Sequence, residues 1–181
     1  KPVSIKMERQ GITLKQVTIP SPLESADQIV SLMDSGITER TKVMFFCHVT
    51  RGGYLYPVKR LTSLAAERGV LSAIDGAQAI GMMPVDLSDL GCDFYANSLH
   101  KWFLAPSGTG FLYVREAIQD LFKSLYISDQ DASLGAARYE SLGTYDLPTR
   151  AAIGTAQDFL NRIGIQNIQR RLRMLSDHLK A

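Results

Sequence analysis

The sequence predicts an α/β fold, a mostly parallel sheet with flanking helices. Three observations carry this. Short apolar runs alternate with helical stretches of about 10 to 14 residues, the rhythm of right-handed crossovers between parallel strands. Asp75, His48 and Ser98 stand at or just after strand ends, on the edge where such sheets bind ligands. No internal repeat or low-complexity linker breaks the pattern, and 181 residues suffice for one sizeable domain with a buried core.

Taken in order, Ile12 to Thr18 alternates polar and apolar residues, a strand-like pattern that ends at Pro20-Ser21-Pro22. Leu23 to Met33 follows as an amphipathic helix with Ile29, Leu32 and Met33 on one face. Lys42-Val-Met-Phe-Phe-Cys47 is a short apolar run of the kind found in strands buried on both faces. Pro57 is a good first residue for a helix over Val58 to Arg68, and Gly69 is a good stop. Val70 to Ile74 forms the next strand and ends at Asp75. Asp93-Phe-Tyr-Ala96 and Gly110-Phe-Leu-Tyr-Val114 make two more strands, and Pro106-Ser-Gly-Thr-Gly110 reads as a tight turn between neighbours. From Leu147 the chain is helical, with a break near Gly164.

Composition narrows the function classes. A net charge of +2 is too close to balance to point to nucleic acid or a membrane surface. The basic run Arg170-Arg171-Leu172-Arg173 reads as a solvated helix face. The longest apolar runs fall well short of the roughly 18 residues of a membrane span. Cys47 and Cys92 form no CxxC or Cys/His cluster, which fits a reducing, cytoplasmic setting without a metal or disulfide scaffold. No glycine fingerprint opens a helix after a strand, so a nucleotide-binding domain is disfavoured.

The chemistry-bearing segments are Asp75-Gly-Ala-Gln78 and Ser98-Leu-His100-Lys101-Trp102. Alone, each residue has an ordinary reading. Asp75 before Gly76 is a turn acid, Gln78 a helix-surface amide, Lys101 a solvated cation, and His48 a structural hydrogen-bonder. Together they place an acid, an amine, a hydroxyl and an imidazole at one sheet edge, with Trp102 and Phe103 expected to shield the lysine loop from water.

These segments resemble the class V aminotransferase family of fold-type I pyridoxal phosphate (PLP) enzymes over nearly the whole chain. The likeness runs from Cys47-His48-Val49 and Leu55-Tyr56-Pro57-Val58 through Asp75-Gly-Ala-Gln78, Pro84-Val-Asp86 and Leu90-Gly-Cys-Asp-Phe-Tyr95. It continues through Ser98-Leu-His-Lys101 and Gly108-Thr-Gly-Phe-Leu-Tyr113. Lys101-Trp102, Ala105-Pro106 and Gly143-Thr144-Tyr-Asp146 look most like the isopenicillin N epimerase-like branch. The resemblance implies an enzyme acting on a small-molecule amino acid, with Lys101 carrying the cofactor as a Schiff base. It implies Asp75 at the ring nitrogen, Gln78 at the ring oxygen, Ser98 and His100 at the phosphate, and His48 in the cofactor-binding set. Opposite charges about 4 Å apart are worth roughly 4 kcal/mol at an effective dielectric near 20, or about 3 pKa units, enough to keep that nitrogen protonated. Thr144 looks like the threonine that reaches the cofactor phosphate of a neighbouring subunit, which implies a homodimer.

Two departures accompany the likeness. Arg51 stands where many relatives carry a small or amide residue near the ring oxygen. Family members are also considerably longer, so residues 1–163 are expected to be part of a PLP-binding large domain, and 164–181 the start of a helix leading to a small domain. Cysteine desulfurase or other carbon–sulfur lyase activity is the alternative within the family, together with a catalytically incomplete fragment. A desulfurase needs a mobile cysteine, which in that branch falls beyond the end of this sequence.

Overall fold

The computed structural model describes residues 2–122, 132–140 and 143–180. The outer limits of the two expected domain segments, Lys1 and Ala181, therefore lie outside the described residues. Helix α1 spans Pro2–Gln10 and α2 Ala26–Gly36. Strand β1 (Val43–Cys47), helix α3 (Val58–Glu67), strand β2 (Leu71–Asp75), the single turn α4 (Leu87–Leu90) and strand β3 (Phe94–Ser98) then alternate, and β4 (Gly110–Val114) follows. Two 3-10 segments, Glu116–Leu121 and Ala132–Tyr139, precede the helices α5 (Leu147–Ile163) and α6 (Ile165–Lys180). Arg138 holds the second 3-10 segment to the first through a 2.9 Å ion pair with Asp120.

The sheet order is β1-β2-β3-β4, with β1, β2 and β3 parallel and β4 antiparallel to β3. The expected mostly parallel sheet is present. Helices α2 and α3 cover one face of it. Ser25 caps α2 by accepting from the Gln28 amide, and Ile29 and Met33 turn inward from it. Val58, Leu61, Leu64 and Ala65 do the same from α3, against Met44, Phe46, Ile74 and Tyr95. The stop at Gly69 is made as expected, with φ at +64°.

Two expectations fail. Residues 12–20 form no strand; Ile12 and Leu14 stay exposed, and only Val17 and Ile19 pack against the core. Strand β1 is buried on one face, not both. Met44 and Phe46 point inward while Val43 and Phe45 are 50% and 70% exposed. Periodicity could not reveal this, because β1 is apolar on both sides whether or not a second layer covers it.

The far ends of the strands are locked by Asp93. Its Oδ2 accepts from the Ser72 amide (2.7 Å) and hydroxyl (3.0 Å), and its Oδ1 from Arg115 Nε (2.9 Å) and Nη2 (2.7 Å). One buried carboxylate thereby ties β2, β3 and the exit of β4 together.

Candidate active site

The register sets Cys47 beside Asp75 and Asp75 beside Ala96. Because strand side chains alternate, Asp75 and Ser98 share the face that the helices leave open, at the carboxyl edge of the parallel strands. The Asp75 side chain is exposed there. Its Oδ1 accepts from the Ala77 amide at 2.9 Å, the turn contact expected of an acid before glycine, and its Oδ2 has no partner among the described residues. The backbone beneath is pinned from both neighbouring strands. The His48 amide donates to the Asp75 carbonyl, the Gly76 amide to the Ala96 carbonyl, and Asn97 Nδ2 to the Gly76 carbonyl, each at 2.8 Å. A Cβ on Gly76 would fall 1.9 Å from the Tyr95 ring, so glycine alone fits.

Lys101 lies on the connection from β3 to β4. The Leu99 amide donates to the Thr109 carbonyl and the Ala105 amide to the Leu99 carbonyl, both at 3.0 Å, closing the base of this loop. Thr109 Oγ1 donates to the Pro106 carbonyl at 2.6 Å, so Pro106–Gly110 is the tight turn the sequence suggests. Leu104, at φ +64°, bends the chain so that its amide reaches the Lys101 carbonyl at 3.1 Å. Leu99 and Ala105 pack on Ala156 of α5, which backs the loop from below. Ser98 and Lys101 are half-buried and His100 is exposed.

The Asp75 and Lys101 loops meet directly. Trp102 Nε1 donates to Gln78 Oε1 at 3.0 Å, and a Cβ on Gly81 would fall 2.5 Å from the Trp102 backbone. Trp102 does less shielding than expected: it is 41% exposed, and its sequence-visible role gives way to a polar tie.

Two expected site residues stand apart. His48 is buried, with Nδ1 hydrogen-bonded to the Tyr95 hydroxyl at 2.9 Å and the rings edge-to-face. Burial holds its pKa down to about 4, so the ring is neutral at pH 7. It supports the Asp75 turn from the interior and does not share the open face with Asp75 and Ser98. Thr144 sits in an exposed bend before Asp146, the residue that caps α5, and makes no hydrogen bond among the described residues. Arg51 is on the exposed turn between His48 and Tyr54.

Sequence reading missed Tyr95 and Asn97. Burial pushes the Tyr95 phenol up, with Cys92 and then Asp75 adding to the shift. Asn97 is buried with its Oδ1 unpaired. A tyrosine and an asparagine at inward positions of an apolar strand were the available signal, since such groups need partners. What those partners were could not be read.

The sequence model of the family Aminotransferase class-V matches residues 3–181. The chain belongs to the class V aminotransferase family. It is 35% identical over 184 residues to isopenicillin N epimerase of Amycolatopsis lactamdurans, covering 92% of this chain and 46% of that protein. A putative L-cysteine desulfhydrase of Oryza sativa subsp. japonica is 31% identical over 176 residues, with 90% and 37% covered. Among solved structures, the apo cysteine desulfurase of Thermococcus onnurineus NA1 superposes with a TM-score of 0.83 at 26% identity, covering 98% of this chain and 46% of that one. The chain spans about half the length, or less, of these relatives. Within the class V fold, the described residues thus comprise the β1–β4 sheet, its carboxyl edge and the α5–α6 pair that follows.

Proposed function

We propose that this chain supplies the lysine-bearing part of a PLP-dependent active site that acts on an amino acid, in the manner of an isopenicillin N epimerase-like class V enzyme. The observation that carries this reading is the Asp75 carboxylate. Its backbone is pinned from both neighbouring strands, its carboxylate accepts from the Ala77 amide, and one oxygen has no partner among the described residues, at the edge that also presents Ser98, His100 and Lys101.

The donor set fits the cofactor. Asp75 offers an anion for a protonated ring nitrogen, Gln78 an amide for the ring oxygen, and Ser98 and His100 donors for the phosphate. When bound, PLP withdraws electrons from the bonds at a substrate's α-carbon. Lys101 anchors the cofactor through its Nζ, and the same amine takes up and returns the α-proton. Asp75 keeps the ring nitrogen charged, and the Gln78–Trp102 tie keeps the lysine loop against the acid loop.

Homodimerisation belongs to the same reading, with Thr144 free to serve a neighbouring subunit from its exposed bend. Gly164, at φ +84° between α5 and α6, is our boundary between the large-domain portion and the helix leading onward. A cytoplasmic setting is part of the proposal and is supported by two free cysteines; no described helix is long and apolar enough to cross a membrane.

A carbon–sulfur lyase is the second reading, favoured by the desulfhydrase and desulfurase names among the relatives. Burial raises the thiol pKa of both Cys47 and Cys92, so neither supports a persulfide-forming nucleophile.

The decisive experiment mixes the protein with PLP, reduces with borohydride and maps the labelled peptide. We expect yellow colour and label at Lys101, both lost in Lys101→Ala. Absence of label at Lys101 in the wild type overturns the reading for this chain. Deuterium uptake at a substrate α-carbon against sulfide release from cysteine then separates the two chemistries.

A further inference from the structure

Gln78 carries an amide that can present either of two chemically opposite ends. Its oxygen accepts and its NH2 donates, and a rotation of about 180° exchanges them. The neighbour that decides between them is Trp102. An indole N–H can only donate, so at 3.0 Å it requires the Gln78 oxygen and repels the NH2. The Gln78 NH2 has no partner among the described residues and is the end left over.

The backbone makes this choice rigid. Gly81, at φ +92°, lies so close to Trp102 that a Cβ would come within 2.5 Å of the Trp102 carbonyl carbon and oxygen. The turn carrying Gln78 is fixed by the Ala79 amide to the Gly76 carbonyl (2.8 Å) and the Met82 amide to the Ala79 carbonyl (3.0 Å). On the other side, the loop carrying Trp102 is closed at Leu99, Ala105 and Thr109. The indole also follows Lys101 directly in sequence, so whatever fixes one bears on the other.

We infer that Trp102 is a positioning residue that sets the Gln78 amide with its NH2 outward, making Gln78 a dedicated donor to an anionic oxygen beside Lys101. Taken with the proposed function, on which this part rests, that oxygen is the ring oxygen of PLP. A donor there stabilises the negative oxygen, so the neighbouring proton is held less firmly and the cofactor's titration moves to lower pH. A freely rotating Gln78 would lose that bias for part of the time.

The test has one arm without the cofactor and one with it. Trp102 is the only tryptophan in the chain, so its indole N–H gives a single resonance. We expect that proton to exchange slowly with solvent in the cofactor-free protein, rapidly in Gln78→Ala, and slowly again in Gln78→Glu, whose carboxylate still accepts. Equal exchange in wild type and Gln78→Ala overturns the inference whether or not PLP binds. In the second arm, the pH midpoint of the bound cofactor's visible absorbance is compared between wild type and two variants. Trp102→Phe should raise it by up to about half a unit to one unit, the size of one neutral hydrogen bond, and Gln78→Glu by more, because its carboxylate adds like-charge repulsion to the lost donor. Gln78→Glu is the sharper probe, since it keeps the tie to Trp102 but has no NH2 to give. A protected indole with an unmoved midpoint overturns the directed-donor role. A wild type that takes up no PLP at Lys101 defeats the proposed function instead, and the exchange arm still decides how the amide is set.

Discussion

Two aspartates mark the two ends of the same sheet, and they are treated in opposite ways. Asp93, at the amino end of β3, is buried, and both of its oxygens are filled, by Ser72 on one side and Arg115 on the other. Asp75, at the carboxyl end of β2, is exposed and keeps one oxygen without a partner among the described residues. A saturated carboxylate has spent its hydrogen-bonding capacity on the fold. An unsaturated one, with its backbone clamped from both sides, keeps its capacity for something that arrives later. Under the proposed function, the sheet thus separates stability from chemistry along the length of its strands.

The most direct way to break this comparison is to remove each acid in turn. Asp93→Ala leaves the buried Ser72 amide and hydroxyl without their acceptor and Arg115 without its partner, and should cost about 3–5 kcal/mol by urea unfolding. Asp75→Ala loses one turn contact and should cost about 1 kcal/mol or less while abolishing cofactor retention. The reverse ranking would sink the division of labour.

Beneath the Asp75 edge there is structure as well as chemistry, and pH exposes it. The folded pKa of His48, about 4, lies below the usual 6.5. The unfolded chain therefore binds this proton more readily. Its contribution is complete above about pH 6.5 and fades as pH falls towards about 4, a loss of roughly 3 kcal/mol. Urea midpoints at pH 7 and pH 4.5 should differ much less in His48→Gln than in the wild type. Equal losses in both would remove His48 from the account. Tyr95→Phe takes away the partner of His48 Nδ1 and should cost about 1–2 kcal/mol at pH 7. The smallest effect belongs to the open face: Phe45→Ser, at a 70% exposed position, should stay within about 0.5 kcal/mol. A larger loss would show that this face is covered in solution.

Much of the frame was legible because its signals are local. Pro57 and Gly69 bracket α3, Gly164 separates α5 from α6, and each strand of the sheet is a short apolar run in the expected place. The alternation at 12–18 misled because it does not record burial: Ile12 and Leu14 stay 45% and 47% exposed, and only Val17 and Ile19, one step out of phase with them, reach the core. The site was legible as a set of residue types on one edge. Its wiring was not. The Trp102–Gln78, His48–Tyr95 and Asn97–Gly76 contacts join separate segments through side-chain directions, which spacing alone does not encode.

The sheet order follows the chain order, and this has a kinetic consequence. Val43 pairs with Leu71, Ala73 with Phe94 and Ser98 with Gly110, so each ladder closes on the strand just made. The two parallel ladders close only across the crossovers that carry α3 and α4, and such non-local pairing is slow. The β3–β4 pairing is the most local of the three, so the lysine turn is expected to form first and the parallel ladders to close onto it.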